Sequence, residues 1–502
     1  MAVTIGRNSC MDTAMKRLRP LMLGGTGSDV GKSMLAAGLC RIFCQDGYRP
    51  APFKAQNMAL NSYATPEGFE IGRAQAVQAE AAGMACHTDM NPVLLKPQSD
   101  STCQVVVDGR PEGCFTSRRL YDPSVRSDLR RRVCDAFSRL SERYNPIVME
   151  GAGSIAELNL MDTDIVNMPM AEYAGAAVML VADIDRGGVF ASAYGSIMLQ
   201  PERFRPLIKG IIVNKFRGDL RLFDRGRRML EECCGVPVVG VVPFMTDLHI
   251  EEEDSVSLER KPKCPREGFV NVAVIRLPHI SNFTDFDALE HSDGINVYYT
   301  TDPSALDGAD LVVIPGTKTT VSDLRWLEES GMAGAVRTMA ESGTKIAGIC
   351  GGYQMMGYSV EDPDGVEGSP GCVAGLGLLP VTTVMSGDKR TRQIGFAMEA
   401  DNRHLCGEGY EIHMGLTTLS PGADPLCMLS DGTADGCRRG NCLGTYLHGF
   451  LDNPEVIEWL IPELEGKVSD YRRYRQEQYD LLAARLRGCL DMEMIYNIMR
   501  YD

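Results

Sequence analysis

Residues 21–35 read LMLGGTGSDVGKSML. The apolar start, the glycine-rich GGTGSDVG and the amphipathic KSMLAAGLCRIFCQDG that follows predict a strand, a tight loop and a helix in that order. In such a turn backbone N–H groups close round an anion, and the helix N-terminus adds its partial positive charge. Lys32 then reaches the β- and γ-phosphates of a nucleotide, and the Ser33 hydroxyl ligates Mg2+. Gly27 and Gly31 complete the expected nucleotide-binding set. The spacing departs from G-x-x-x-x-G-K-[ST], because Thr26 stands where the first glycine is usual.

Other strands resemble the first. PIVMEG, AAVMLVAD, IKGIIVNK and VPVVGVVP come before residue 247, and VNVAVIRL, ADLVVIPG and TKIAGIC after 269. Continuous apolar runs alternating with amphipathic segments indicate parallel sheets covered on both faces, so the fold class is α/β, with two doubly wound domains. The charged stretch between the two groups predicts a linker. The expected division is a loose extension over 1–18, a nucleotide-binding domain over 19–248, a linker over 249–269, a second domain over 270–452 and a helical extension over 453–502.

The bulk numbers narrow the function. A length of 502 residues exceeds one ordinary core, and a net charge of −16 argues against nucleic acid or an anionic membrane as partner. No signal-peptide core and no apolar run fit to span a bilayer is legible, which predicts a cytoplasmic protein. The 17 cysteines include no C-x-x-C pair and read mostly as small buried hydrophobes.

Further candidates follow from position. Glu150 ends the strand PIVME before a glycine turn, where a carboxylate holds Mg2+ opposite the phosphate loop. Asp183 and Asp185 end another strand, as further carboxylates at this edge or, either of them, as a helix cap. Lys54, Gln56 and Asn57 follow a strand and face the γ-phosphate and the acceptor. NKFR at 214–217 has Arg217 where guanine reading needs aspartate, which speaks against that base.

In GICGG, Cys350 sits between an apolar strand and a helix with glycines on both sides, the arrangement of a nucleophile elbow whose helix N-terminus favours a thiolate. His448, in GTYLHGF, is the expected base for the thiol and acid for the leaving group. Backbone N–H groups around Gly316 and Gly351 are the expected oxyanion donors. Among such domains H-x-E is usual, but His448 is followed by Gly449 and Phe450, which leaves the group that orients the histidine unassigned; Glu411 and His413 are pocket candidates without a role.

The loop form G-T-x-x-x-V-G-K-[ST] resembles that of dethiobiotin synthetase, which activates carboxyl or carbamate groups with ATP, and that resemblance makes Asn214 an adenine contact. The Cys350 region resembles class I glutamine amidotransferases. Taken in order, FKAQNMALNSY, EGAGSIAELNLMDTDIVNM, VADIDRGGVFA, ISNFTDFDALE, PGTKTTVSDLRWL, GICGGYQMMG, GYEIHMG and GTYLHGF are similar to the cobyric acid synthase family of cobalamin biosynthesis, from about residue 19 to the end.

The resemblance implies ATP- and glutamine-dependent amidation of the b, d, e and g carboxylates of adenosylcobyrinic acid a,c-diamide. The implied partners are thus small molecules, glutamine and the corrinoid. It makes Glu157 and Arg186 substrate contacts, with Arg73 and Arg217 as further embedded cations. Met161 and Thr163 stand where the family more often carries arginine. The alternatives are cobyrinic acid a,c-diamide synthase and, in another class, a partition-type regulatory ATPase joined to a degenerate amidotransferase domain. The intact elbow and the absence of an early loop lysine speak against the latter.

Overall fold

A computed structural model describes residues 16–99, 101–251, 255–367 and 370–501. The extension expected over 1–18 lies outside the described residues up to position 15. The first sheet consists of β1 (Leu21–Gly25), β2 (Ala51–Phe53), β3 (Ile147–Glu150), β4 (Ala177–Asp183), β5 (Ile208–Phe216) and β6 (Val238–Pro243). All are parallel, in the order β6-β5-β4-β1-β3-β2.

Side chains of a strand alternate between faces, so each strand feeds two cores. Leu21 and Leu23 point to one cluster and Met22 to the other; in β4, Ala177, Met179 and Val181 part from Val178, Leu180 and Ala182 in the same way. Both faces being apolar is what makes these runs continuous rather than alternating. The first face is covered by α1 (Lys32–Gln45), and the second by α2 (Pro123–Arg143), among others.

The second sheet contains β7 (Val270–Ile275), β8 (Ile295–Thr300), β9 (Leu311–Ile314) and β10 (Lys345–Ile349). A long antiparallel ribbon, β11 (Val381–Ala400) with β12 (Arg403–Leu419), precedes β13 (Cys437–Arg439) and β14 (Cys442–Thr445). The sheet order is β8-β7-β9-β10-β14-β13, parallel except for the β13–β14 hairpin. The α/β reading with two mostly parallel sheets therefore holds.

The C-terminal segment divides. Its first helix, Pro454–Leu460, buries Val456, Ile457 and Leu460 in the core of the second domain. The next two, α3 (Tyr471–Cys489) and α4 (Met492–Met499), return to the first domain and close its core over α1. The approach is tight: a β-carbon on Gly38 of α1 would lie 2.3 Å from Leu486. The linker region is tied down as well. Glu251 is buried between Arg73, at 2.6 Å, and Arg475 of α3, at 3.1 Å.

Candidate active site

At the C-terminal edge of the first sheet, β1 leads through the glycine loop into α1. Gly31 has φ +95°, and Asn214 Nδ2 lies 2.2 Å from where its β-carbon would stand, so only glycine fits there. Lys32 is folded into the loop, with Nζ donating to the carbonyls of Gly27 at 2.9 Å and Gly153 at 3.0 Å. Burial brings its ammonium down to about 8, against the pull of Glu150.

Glu150 is the hub of this end. Its carboxylate accepts from Ser33 Oγ at 2.8 Å, Lys54 Nζ at 2.8 Å and Gln78 Nε2 at 2.7 Å. Burial alone raises a carboxyl pKa, but Lys54, then Gln78 and Ser33, outweigh it and hold Glu150 below the usual carboxylate range. Asn214 is buried too; its amide donates to the Val30 carbonyl at 2.7 Å, and its Oδ1 has no hydrogen-bond partner among the described residues.

These groups line a cavity of about 880 Å³. Lys32, Ser33, Lys54, Glu150 and Asn214 lie at one end, with Glu157 and Arg186 on its rim. Gln56 and Asn57 also line it, but each is held by a neighbour: Gln56 accepts from Arg126 at 2.9 Å, and Asn57 donates to Gln75 at 3.1 Å. The wall with Met161 and Thr163 is not without a cation, since Arg126 lines it and donates to the Thr163 carbonyl at 2.8 Å.

Two arginines read as embedded cations are placed otherwise. Arg73 is buried on Glu251 and over the Tyr63 ring, and Arg217 pairs with Asp185 at 2.6 Å over Phe244. Neither lines the cavity. Asp183 likewise pairs with Lys215, at 3.0 Å.

In the second domain, Cys350 follows β10 with φ +53° and ψ −109°, a strained conformation for a residue with a side chain. Gly352 makes that turn possible, because a β-carbon there would lie 1.9 Å from the Ile314 carbonyl oxygen. Gly316 lies against the His448 ring, 3.2 Å from its Cε1 when a β-carbon is built, and Gly351 lies against Thr317. His448 Nδ1 is 2.7 Å from Asp285 Oδ2, and Gly449 N–H donates to Asp285 Oδ1 at 3.0 Å. Burial works to lower the pKa of His448, but Asp285 and Cys350 outweigh it and lift it to about 10. A buried imidazolium between a carboxylate and a thiol is the pairing that keeps a cysteine nucleophilic.

Asp285 is thus the partner that the sequence reading left unassigned. Its signal was present: in FTDF an aspartate stands between two buried phenylalanines, where an ionised carboxylate must have a partner. Gln78 had no comparable signal. Glu411 and His413 stand beside this site; Glu411 pairs with Arg392, and His413 stacks on Tyr446 at 3.7 Å between ring centroids. Burial keeps His413 below its ordinary pKa, against the pull of Glu411.

Comparison with known proteins agrees with both halves. Residues 21–258 match the CobQ/CobB/MinD/ParA nucleotide binding domain, and residues 271–456 the CobB/CobQ-like glutamine amidotransferase domain. A cobyric acid synthase of Phocaeicola vulgatus is 56% identical over 492 residues, covering 96% of this chain and 99% of that protein. One of Bacteroides fragilis is 57% identical over 493 residues, with the same two shares. One of Salmonella agona is 46% identical over 507 residues, covering 96% and 98%. With both domains matched and relatives this similar along nearly their whole length, the chain belongs to the cobyric acid synthase family, amide-forming ligases that carry a glutamine amidotransferase domain.

Proposed function

We propose that the chain uses ATP and glutamine to amidate the b, d, e and g carboxylates of adenosylcobyrinic acid a,c-diamide, giving adenosylcobyric acid, in the cytoplasm. The observation that carries this is the single cavity: one end is lined by Lys32, Lys54 and Glu150, while Ile280 and Phe283 of the second domain, beside Asp285, line it as well.

Cys350 attacks the side-chain amide of glutamine, and Gly316 and Gly351 offer backbone donors to the oxyanion. His448, held by Asp285, moves the proton to the departing ammonia. The remaining thioester is hydrolysed to glutamate. Ammonia then passes to the cavity, whose wall includes Ile280 and Phe283 of this domain.

At the other end the residues fit a magnesium nucleotide. The Ser33 hydroxyl and the Glu150 carboxylate form a hard oxygen pair, enough for a cation that takes its other ligands from phosphate and water. The partnerless Asn214 Oδ1 is an acceptor for an adenine amino group. When bound, Mg-ATP supplies the phosphoryl group that turns a carboxylate into an acyl phosphate. Lys32 and Lys54 neutralise the charge that develops, and Glu157 and Arg186 orient the corrinoid side chains at the rim. Ammonia attack on the acyl phosphate releases phosphate and leaves the amide.

Mass spectrometry of cobyrinic acid a,c-diamide incubated with the chain, Mg-ATP and glutamine tests the reading. Four successive carboxyl-to-amide exchanges are expected, and their absence overturns it.

A further inference from the structure

The loop that presents Asp285 is fastened from outside its own domain. Asn282 starts the turn Phe283–Phe286 in the left-handed region, at φ +54°, and its carbonyl accepts from the Asp285 N–H at 3.0 Å. Two of its other polar groups reach the nucleotide-binding domain. The Asn282 N–H donates to Asn61 Oδ1 at 2.6 Å, and Asn282 Oδ1 accepts from the Ser62 N–H at 2.9 Å. Asn61, Ser62 and Asn282 are all buried.

A second contact reaches His448 from the same segment. The Tyr63 ring lies 4.5 Å from that of Tyr410, and the Tyr410 ring stacks at 5.2 Å on His448. The backbones of Tyr410 and His448 exchange hydrogen bonds of 3.0 and 2.8 Å. Gln393 of the ribbon donates to the Ala64 carbonyl at 2.8 Å and holds the segment in place.

We propose that Asn61 and Tyr63 of the nucleotide-binding domain are positioning residues for glutamine hydrolysis, setting Asp285 through Asn282 and His448 through Tyr410. The inference rests on the glutaminase reading of Cys350 given above. Physically, a buried donor and acceptor left without partners is costly, so the Asn282 turn keeps its shape only while the two domains are docked. Cys350 has its own elbow and needs no such help; the two groups that activate it do. The segment that supplies the contacts is continuous with Lys54 and Asn57, which line the nucleotide end of the cavity.

The full chain tests this through three readouts: glutamine hydrolysis, the pH dependence of Cys350 alkylation by iodoacetamide, and melting by circular dichroism. In Asn61→Ala and Tyr63→Ala, kcat for hydrolysis is expected to fall about tenfold with KM for glutamine within about twofold, the loss of a transition-state contact rather than of binding. The alkylation profile should differ from that of the parent chain, because Cys350 loses its aligned imidazolium. Tyr63→Phe keeps the ring and should match the parent chain. An unchanged alkylation profile in both alanine variants, at unchanged melting, overturns the inference; so does a loss confined to KM. A variant that melts early is replaced by Asn282→Gly, which keeps the left-handed backbone but removes the acceptor for Ser62, and the same two criteria apply. Failure of the parent chain to amidate with either glutamine or ammonia sinks the proposed function alone, since alkylation still reports on the Cys350 pair.

Discussion

The two ends of the molecule arrange their charged groups by opposite means. At the nucleotide-binding end the charged groups satisfy one another: Lys32 bonds to its own loop, and Ser33, Lys54 and Gln78 converge on Glu150. At the amidotransferase end Asp285, His448 and Cys350 are all buried, Asp285 bonds to His448, and the histidine's pKa is raised. One end is a network converging on a carboxylate and the other a chain running through a histidine, so damage to each should look different.

The sharpest contrast comes from Cys350→Ala. Amidation driven by glutamine should vanish while amidation driven by ammonia persists, read by product mass with each nitrogen donor; equal loss with both removes the distinction between the ends. Lys32→Met should do the reverse and lower both by about 10³-fold, since charge neutralisation at the phosphates serves either donor.

Next in size is Asp285→Asn, expected to lower glutamine hydrolysis by about 10²–10⁴-fold through loss of the imidazole's orientation. It should also lower the pKa of His448 from about 10. Because the native value lies above that of an unfolded histidine, protonated His448 stabilises the fold fully below about 6.5, and this is lost as pH rises through about 10. Alkaline denaturation of the variant should therefore lack that contribution, as monitored by circular dichroism. The smallest effect on chemistry is expected from Leu486→Ala, which removes packing against α1 and should cost about 2–5 kcal/mol of stability in a denaturant melt without touching the second domain's site.

Much of this was legible because it is periodic or locally marked. Continuous apolar strands gave the two sheets, and the glycines around Lys32 and Cys350 marked two sharp turns whose geometry only glycine permits. What escaped was long-range. Asp285 comes to His448 from a turn far away in sequence, and the second position after the histidine, where such a partner is usual, holds Phe450. Arg73 looked like a free cation for an acidic substrate, but its partner Glu251 sits in a stretch read only as a linker. Charge type is visible in a sequence; pairing is not.

The return of α3 and α4 to the first domain bears on how the chain is made. The apolar face of α1 is finished by Leu482, Leu486, Ile495 and Met499, which leave the ribosome after the second domain. The nucleotide unit must therefore wait, with that face uncovered, until the whole glutaminase has been synthesised. A fragment stopping near residue 250 is expected to be sticky and short-lived, and removing α3 and α4 should unfold the first domain before the second.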